Sequence, residues 1–177
     1  MAGRSAKVPF RPDTGRWLIR GGTLRPVTAQ HRKLVLEQAR VFEAATEHVF
    51  GLFTVPTELA KWWGPHGFAT PEIQVDLRVG GSLRFTMQPP EGAAFHLSGE
   101  FLEIRPPSEL RFTFRWDEPV ADDRETVAAV SLEPLGGRTS VTLVQGDFAT
   151  EERLELHRRG WADSFERLDA VLRSRRD

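Results

Sequence analysis

Apolar residues near the C-terminal end of the sequence recur at helical spacing. Leu154, Trp161, Phe165, Leu168 and Leu172 fall three, four or seven positions apart, with His157 and Arg158 between the first two. That spacing predicts a helix of about six turns over Thr150 to Asp177, with one apolar stripe. Thr150 is the expected N-cap and Glu151 and Glu152 fill the first turn. Arg173, Arg175 and Arg176 lie at or past the last turn, so each end complements the helix dipole. A stripe this long needs a broad apolar surface to lie on.

The middle of the chain supplies that surface through a change of period. Ser82 to Gln88 alternates, with Leu83, Phe85 and Met87 on one face and Arg84, Thr86 and Gln88 on the other. Glu109 to Asp117 alternates more sharply, with Leu110, Phe112, Phe114 and Trp116 inward and Arg111, Thr113 and Arg115 outward. Ala93 to Ile104 places Phe95, Leu97 and Phe101 on one parity, and Gly99 is the expected site of a bulge or bend. Thr126 to Leu135 and Thr139 to Phe148 form a hairpin around Gly136-Gly137, with Val130, Leu132, Val141 and Leu143 inward. Ile73 to Asp76 is a further short strand after an irregular segment held open by Gly67 and Pro71. Val79-Gly80-Gly81 turns the chain tightly, a reversal and not a phosphate loop, because no Gly-Lys-Ser/Thr follows.

Upstream, Lys33 to Glu43 reads as the first long strand. Thr46 is the expected cap of a short helix carrying Val49, Phe50 and Phe53. A second short helix runs from Thr57 to Trp62 or Trp63 and stops at Gly64-Pro65. The order is strand, two short helices, six strands, long helix. Strands joined by such short links pair antiparallel, and their alternation leaves each with one dry face. The expected architecture is α+β: about seven strands curved around the C-terminal helix, with room left beneath the short helices.

Composition narrows the chemistry. The chain has 177 residues, enough for one domain with a substantial core, read as residues 31–177. Residues 1–30 are rich in Arg, Gly, Pro and Thr and read as a partly ordered arm in which Trp17, Leu18 and Ile19 form a short edge strand. Lys plus Arg is 24 and Asp plus Glu is 25, a balance that gives no general attraction to nucleic acid or to an acidic membrane. Cysteine is absent, which excludes disulfides, thiolate metal sites and cysteine nucleophiles. The sequence shows no apolar run long enough to span a membrane and no long apolar stretch of a secretion signal near residue 1, so the expected location is the cytoplasm. Tyrosine is absent while Phe is 12 and Trp is 5, so the rings can fill a core or line an apolar cavity.

Trp62-Trp63-Gly64-Pro65, Asp76 to Phe85, Gly99 to Pro107, Leu110 to Trp116, and His157-Arg158-Arg159-Gly160-Trp161 occur in an order that resembles the domain shared with the activator of Hsp90 ATPase, the AHSA1-like group. That group belongs to the START-like or SRPBCC superfamily. The resemblance covers roughly Lys33 to Leu172 and implies the helix-grip (START/Bet v 1-like) fold. It also implies a range of roles: lipid or hormone carrier, polyketide cyclase, ring-hydroxylase subunit or co-chaperone.

The candidate ligand-binding residues are Trp62, Trp63, Phe85, Met87, Phe95, Phe112, Phe114, Trp116, His157, Trp161 and Phe165, each of which equally suits plain core packing. One of the two adjacent tryptophans is expected to pack inward and the other to close a cavity mouth, with Gly64 to Thr70 as a mobile gate. His157 is a core histidine, a polar anchor for a ligand carbonyl or carboxylate, or a weak candidate general base for which the sequence offers no orienting carboxylate. Asp122-Asp123 reads as a solvated turn. The five histidines are scattered without ligand spacing, so no metal and no cofactor is expected. The reading is a module that binds a hydrophobic, aromatic or lipid-like small molecule and is not expected to be an enzyme. The alternatives are a regulator that binds a chaperone or another protein, and a cyclase- or hydrolase-like enzyme. It is expected to be a monomer or homodimer.

Overall fold

The computed structural model describes residues 17–20, 23–26 and 33–175. In the first unit, β1 (Trp17–Arg20) pairs antiparallel with β2 (Thr23–Pro26) as a two-stranded hairpin. The remaining order expected for the arm, and Arg176 at the helix end, lie outside the described residues.

The second unit begins with β3 (Leu36–Phe42). Its inward positions are Leu36 and Phe42, both buried, while Val35 and Val41 face outward. Two short helices follow, α1 (Thr46–Thr54) and α2 (Pro56–Trp62). Then come β4 (Ala69–Val75), β5 (Ser82–Gln88), β6 (Phe95–Arg105), β7 (Glu109–Trp116), β8 (Thr126–Leu135) and β9 (Arg138–Gly146). The last element is α3 (Glu151–Arg173). The seven strands of this unit pair in the order β3-β9-β8-β7-β6-β5-β4, antiparallel throughout. The two short helices therefore carry the chain from one edge of the sheet to the other, and five consecutive hairpin connections bring it back. The result is an α+β helix-grip fold, a curved sheet around a long C-terminal helix.

The stripe of α3 is buried as its spacing requires: Leu154, Trp161, Phe165, Leu168 and Leu172 all lie inside. Thr150 caps the helix by accepting a hydrogen bond from the Arg153 backbone N–H at 3.2 Å. Inward residues of β5, β7, β8 and β9 share one buried core with the stripe, and Phe165 packs edge-on to Phe42 of β3 with ring centroids 5.7 Å apart. Polar ties fix the helix across β3. The Gln38 side-chain amide donates to the Arg158 carbonyl at 3.0 Å, and Arg40 pairs with Asp169 at 3.1 Å.

Three local expectations are corrected. Thr46 does not cap α1. Ala45 holds the cap position without a side-chain bond, while Thr46 is the first helical residue and its hydroxyl lies 3.3 Å from that of buried Thr139. The strand expected from Ile73 starts at Ala69 and runs through Pro71. It can do so because β4 is an edge strand, where a missing N–H need not break the ladder, and because its register slips between Ala69 and Glu72. The bulge in β6 lies between Phe101 and Glu103, not at Gly99. Gly99 serves close approach instead: a Cβ there would stand 1.9 Å from the Thr113 carbonyl oxygen. The reversal at Gly80-Gly81 is as expected, with φ 78° at Gly80.

Candidate functional site

A cavity of about 440 Å³ opens between one side of α3 and the sheet. Its helix wall is built from Arg153, His157, Gly160, Trp161 and Ser164, which lie three or four residues apart or one step beyond and so share a side of α3. Its sheet wall is Met87 of β5, Phe95 of β6, and Phe114 and Trp116 of β7. The chain after α2 forms one lip with Trp63, Gly64, Pro65 and Phe68. The loop after β7 forms the other with Glu118 and Asp123.

The rings of the wall meet edge to face, the arrangement their quadrupoles favour. Trp63 stands T-shaped to Phe85 at 4.6 Å and to Trp161 at 4.9 Å. Trp116 contacts Phe95 at 5.2 Å and Phe114 at 5.1 Å. The Trp161 indole N–H is spoken for inside the core. It donates at 2.7 Å to Oε1 of Gln145, a residue with no exposed surface, whose amide nitrogen donates in turn to the Thr126 hydroxyl at 2.9 Å. A buried polar chain thus fixes the orientation of the indole and leaves its carbon face to the cavity.

His157 sits among Phe148, Phe114 and Trp116, at ring separations of 4.8, 5.2 and 5.9 Å. Burial pushes its pKa down to about 4. The Asp123 charge opposes that shift and the Arg153 charge adds to it. The ring is therefore neutral at ordinary pH. Among the described residues no side chain or backbone group hydrogen-bonds to it. Its nitrogens are not sealed away either, and the residue lines the cavity.

The lip after α2 is tied to α3. Arg167 Nη1 donates to the carbonyls of Trp63, Gly64 and Pro65 at 3.1, 2.9 and 3.1 Å. The Gly64 N–H donates to the Ser164 hydroxyl at 3.1 Å, and the His66 N–H donates to Asp163 at 3.3 Å. These carbonyls lie just past the end of α2; those of Trp63 and Pro65 also accept from the Thr70 hydroxyl at 3.0 Å and the Phe68 N–H at 3.1 Å, so Arg167 joins a turn that is already hydrogen-bonded. Within the segment expected as a gate, Gly64 to Thr70, the first residues are hydrogen-bonded to α3.

The candidate ligand-binding residues divide. Trp63, Met87, Phe95, Phe114, Trp116, His157 and Trp161 come together around the cavity. Trp62, Phe85, Phe112 and Phe165 lie in the packed core behind it. Trp62 has no exposed surface, and its indole N–H donates to the Leu52 carbonyl at 2.9 Å. Of the adjacent pair, Trp62 packs inward and Trp63 stands at the lip. Asp123 is not a solvated turn residue: its side chain is only 10 % exposed, paired with Arg153 at 3.3 Å on the cavity rim. Sequence reasoning missed Ser164, Gly160 and Arg153 as lining groups, although each lies three or four positions from Trp161 or His157 on the helix. It also missed Phe68, Glu118 and Asp123, which sit on loops where no period operates. Among the described residues no cluster of three or more His, Asp and Glu can hold a metal, and no helix is long and apolar enough to cross a membrane.

A family model described as activator of Hsp90 ATPase homolog 1-like protein matches residues 43–173, from just after β3 to the last residue of α3. The chain belongs to that family. Its fold is accordingly that of the AHSA1-like branch of the SRPBCC superfamily. Among solved structures, the AHSA1-like chain is similar to a protein from Arthrobacter aurescens, with 29% identity, TM-score 0.72, and coverage of 80% of this chain and 87% of the other. It is similar to a crystal structure of an AHSA1 protein from Silicibacter pomeroyi, with 29% identity, TM-score 0.69, and coverage of 80% and 99%. A protein from Chromobacterium violaceum gives 28% identity, TM-score 0.70, and coverage of 78% and 96%. No curated protein matches the AHSA1-like chain.

Proposed function

We propose that this AHSA1-like domain is a binding module, and that its cavity beside α3 receives a small hydrophobic guest. The observation that carries this reading is the cavity itself. It has about 440 Å³ of space, walls of Trp, Phe and Met, and in His157 a polar side chain with unmet capacity both to donate and to accept. Such a wall gains by removing apolar guest surface from water, and the fixed indole of Trp161 keeps the site open without a guest to hold it. Binding without turnover belongs to the same reading. His157 has no carboxylate bonded to orient it as a base, and Asp123 is engaged by Arg153. Native mass spectrometry on protein recovered from cells, followed by thermal-shift screening of apolar compounds, tests the proposal. Co-purified mass or stabilisation that is lost when Gly160 is replaced by Leu supports it. A protein that neither carries nor gains any small guest refutes it.

The family match speaks more directly for a second reading, regulation of a chaperone-type ATPase through protein contact. One feature of the surface favours it. The outer face of the sheet holds a polar hollow of about 410 Å³ lined by Gln74, Arg84, Ser98, Glu100, Arg115 and Glu125. Its charges are mixed in sign and suit a polar protein surface. ATPase stimulation of an Hsp90-type chaperone that is lost in Arg84→Glu and kept in Gly160→Leu would establish this reading over the first.

A further inference from the structure

Most polar groups on the cavity wall already have a partner; the indole N–H groups of Trp63 and Trp116 and the ring of His157 do not. The Trp161 N–H is held by Gln145, and the Ser164 hydroxyl accepts from Gly64 and donates to the Gly160 carbonyl at 2.7 Å. On the rim, Asp123 pairs with Arg153, Glu118 with His96 at 2.8 Å, Arg159 with Glu155 at 3.6 Å, and Asp163 accepts from the His66 N–H. The two indoles only donate, so His157 is the one of the three that can also accept. Its neutral ring offers one N–H donor and one nitrogen acceptor to the open space. The charges lining the cavity are three carboxylates, Glu118, Asp123 and Asp163, against two guanidiniums, Arg153 and Arg159, and neither guanidinium is unpaired.

Resting on the small-guest reading above, we infer that the guest is an uncharged aromatic alcohol of the phenol class, its hydroxyl bonded to a ring nitrogen of His157. A hydroxyl both donates and accepts, so it matches whichever tautomer the imidazole holds. A carboxylate finds no free cation here and meets a rim with an excess of negative charge. Its water shell would be lost with no unpaired cation to replace it. An aliphatic chain would forgo the edge-to-face contacts that Trp63, Trp116, Phe95 and Phe114 already make among themselves and present to the space.

Three matched probes test the assignment: 2-naphthol, naphthalene and 2-naphthoate, each titrated by calorimetry into the full chain and into His157→Phe and His157→Gln. The expected order is naphthol tightest, ahead of naphthalene by about tenfold, the effect of one well-made hydrogen bond, with naphthoate weakest. In His157→Phe the advantage of naphthol over naphthalene falls to about unity, and in His157→Gln, which keeps a donor and an acceptor, part of it returns. The ring ¹⁵N resonances of His157 move on adding naphthol and stay in place on adding naphthalene. Equal binding of naphthol and naphthalene overturns the hydroxyl assignment while leaving the small-guest reading intact. Naphthoate binding tightest overturns it in favour of an anionic guest. Binding of none of the three to protein shown folded by circular dichroism overturns the small-guest reading and this assignment together.

Discussion

Lowering the pH from about 7 to 4 should weaken this domain through one side chain, His157. In the unfolded chain its imidazole takes up a proton near pH 6.5. In the folded chain uptake waits until about pH 4, because burial disfavours the charged ring; Asp123 offsets part of that and Arg153 reinforces it. Between those values the unfolded state holds a proton that the folded state does not, so the free energy of unfolding falls as the pH falls. The contribution of His157 is level above its unfolded value, declines through the window from 6.5 to about 4, and is level again below it. At roughly 1.4 kcal/mol per pH unit the loss comes to about 3 kcal/mol, a large part of a stability of about 5–15 kcal/mol. His157→Phe keeps a ring among Phe114, Trp116 and Phe148 and removes the titration. Urea unfolding of both proteins in half-unit pH steps across the window isolates the effect, because the remaining histidines and carboxylates cancel in the difference. The wild type should lose about 3 kcal/mol more than the variant. Parallel stability curves, or an NMR titration that places His157 near its ordinary value, would refute the reasoning.

Gly99→Ala should cost at least about 2 kcal/mol, because its Cβ would stand 1.9 Å from the Thr113 carbonyl oxygen and force β6 from β7; an unchanged urea midpoint would show that the strands do not approach so closely. Arg167→Met should cost about 1–3 kcal/mol and speed amide exchange from Trp63 to Phe68 with the central strands unchanged, since it removes the donor to three carbonyls. Unchanged exchange there would mean that Arg167 does not restrain the lip. Gln145→Leu should cost about 2 kcal/mol and shift tryptophan emission, because the buried Trp161 N–H and Thr126 hydroxyl lose their shared partner; emission and stability like the wild type would show that the indole needs no such support.

The elements of this domain were legible because their signals are local. The stripe of α3 and the alternation of Leu110, Phe112 and Phe114 in β7 depend only on helical and extended periods, and burial follows both patterns. The Thr150 cap and the reversal at Gly80 needed only a short side chain and a residue free of a Cβ. Thr46 misled because a hydroxyl at a helix start can also reach across the fold, and here it meets Thr139.

The candidate site was legible by residue type and not by boundary. Phe112 and Phe114 share parity, strand and chemistry, yet Phe112 packs in the core and Phe114 borders the cavity. Parity states which face of the sheet a side chain takes. Where space remains on that face depends on how α3 lies across the strands, and that is fixed by contacts far apart in the chain, such as Arg40 with Asp169 and Gln38 with Arg158. The neutrality of His157 has the same origin. An imidazole alone sets only an ordinary pKa, and the rings that desolvate it arrive from β7 and from Phe148. The sequence by itself determined which residues point inward; the packing of helix on sheet decided which of them face empty space and in what state of charge.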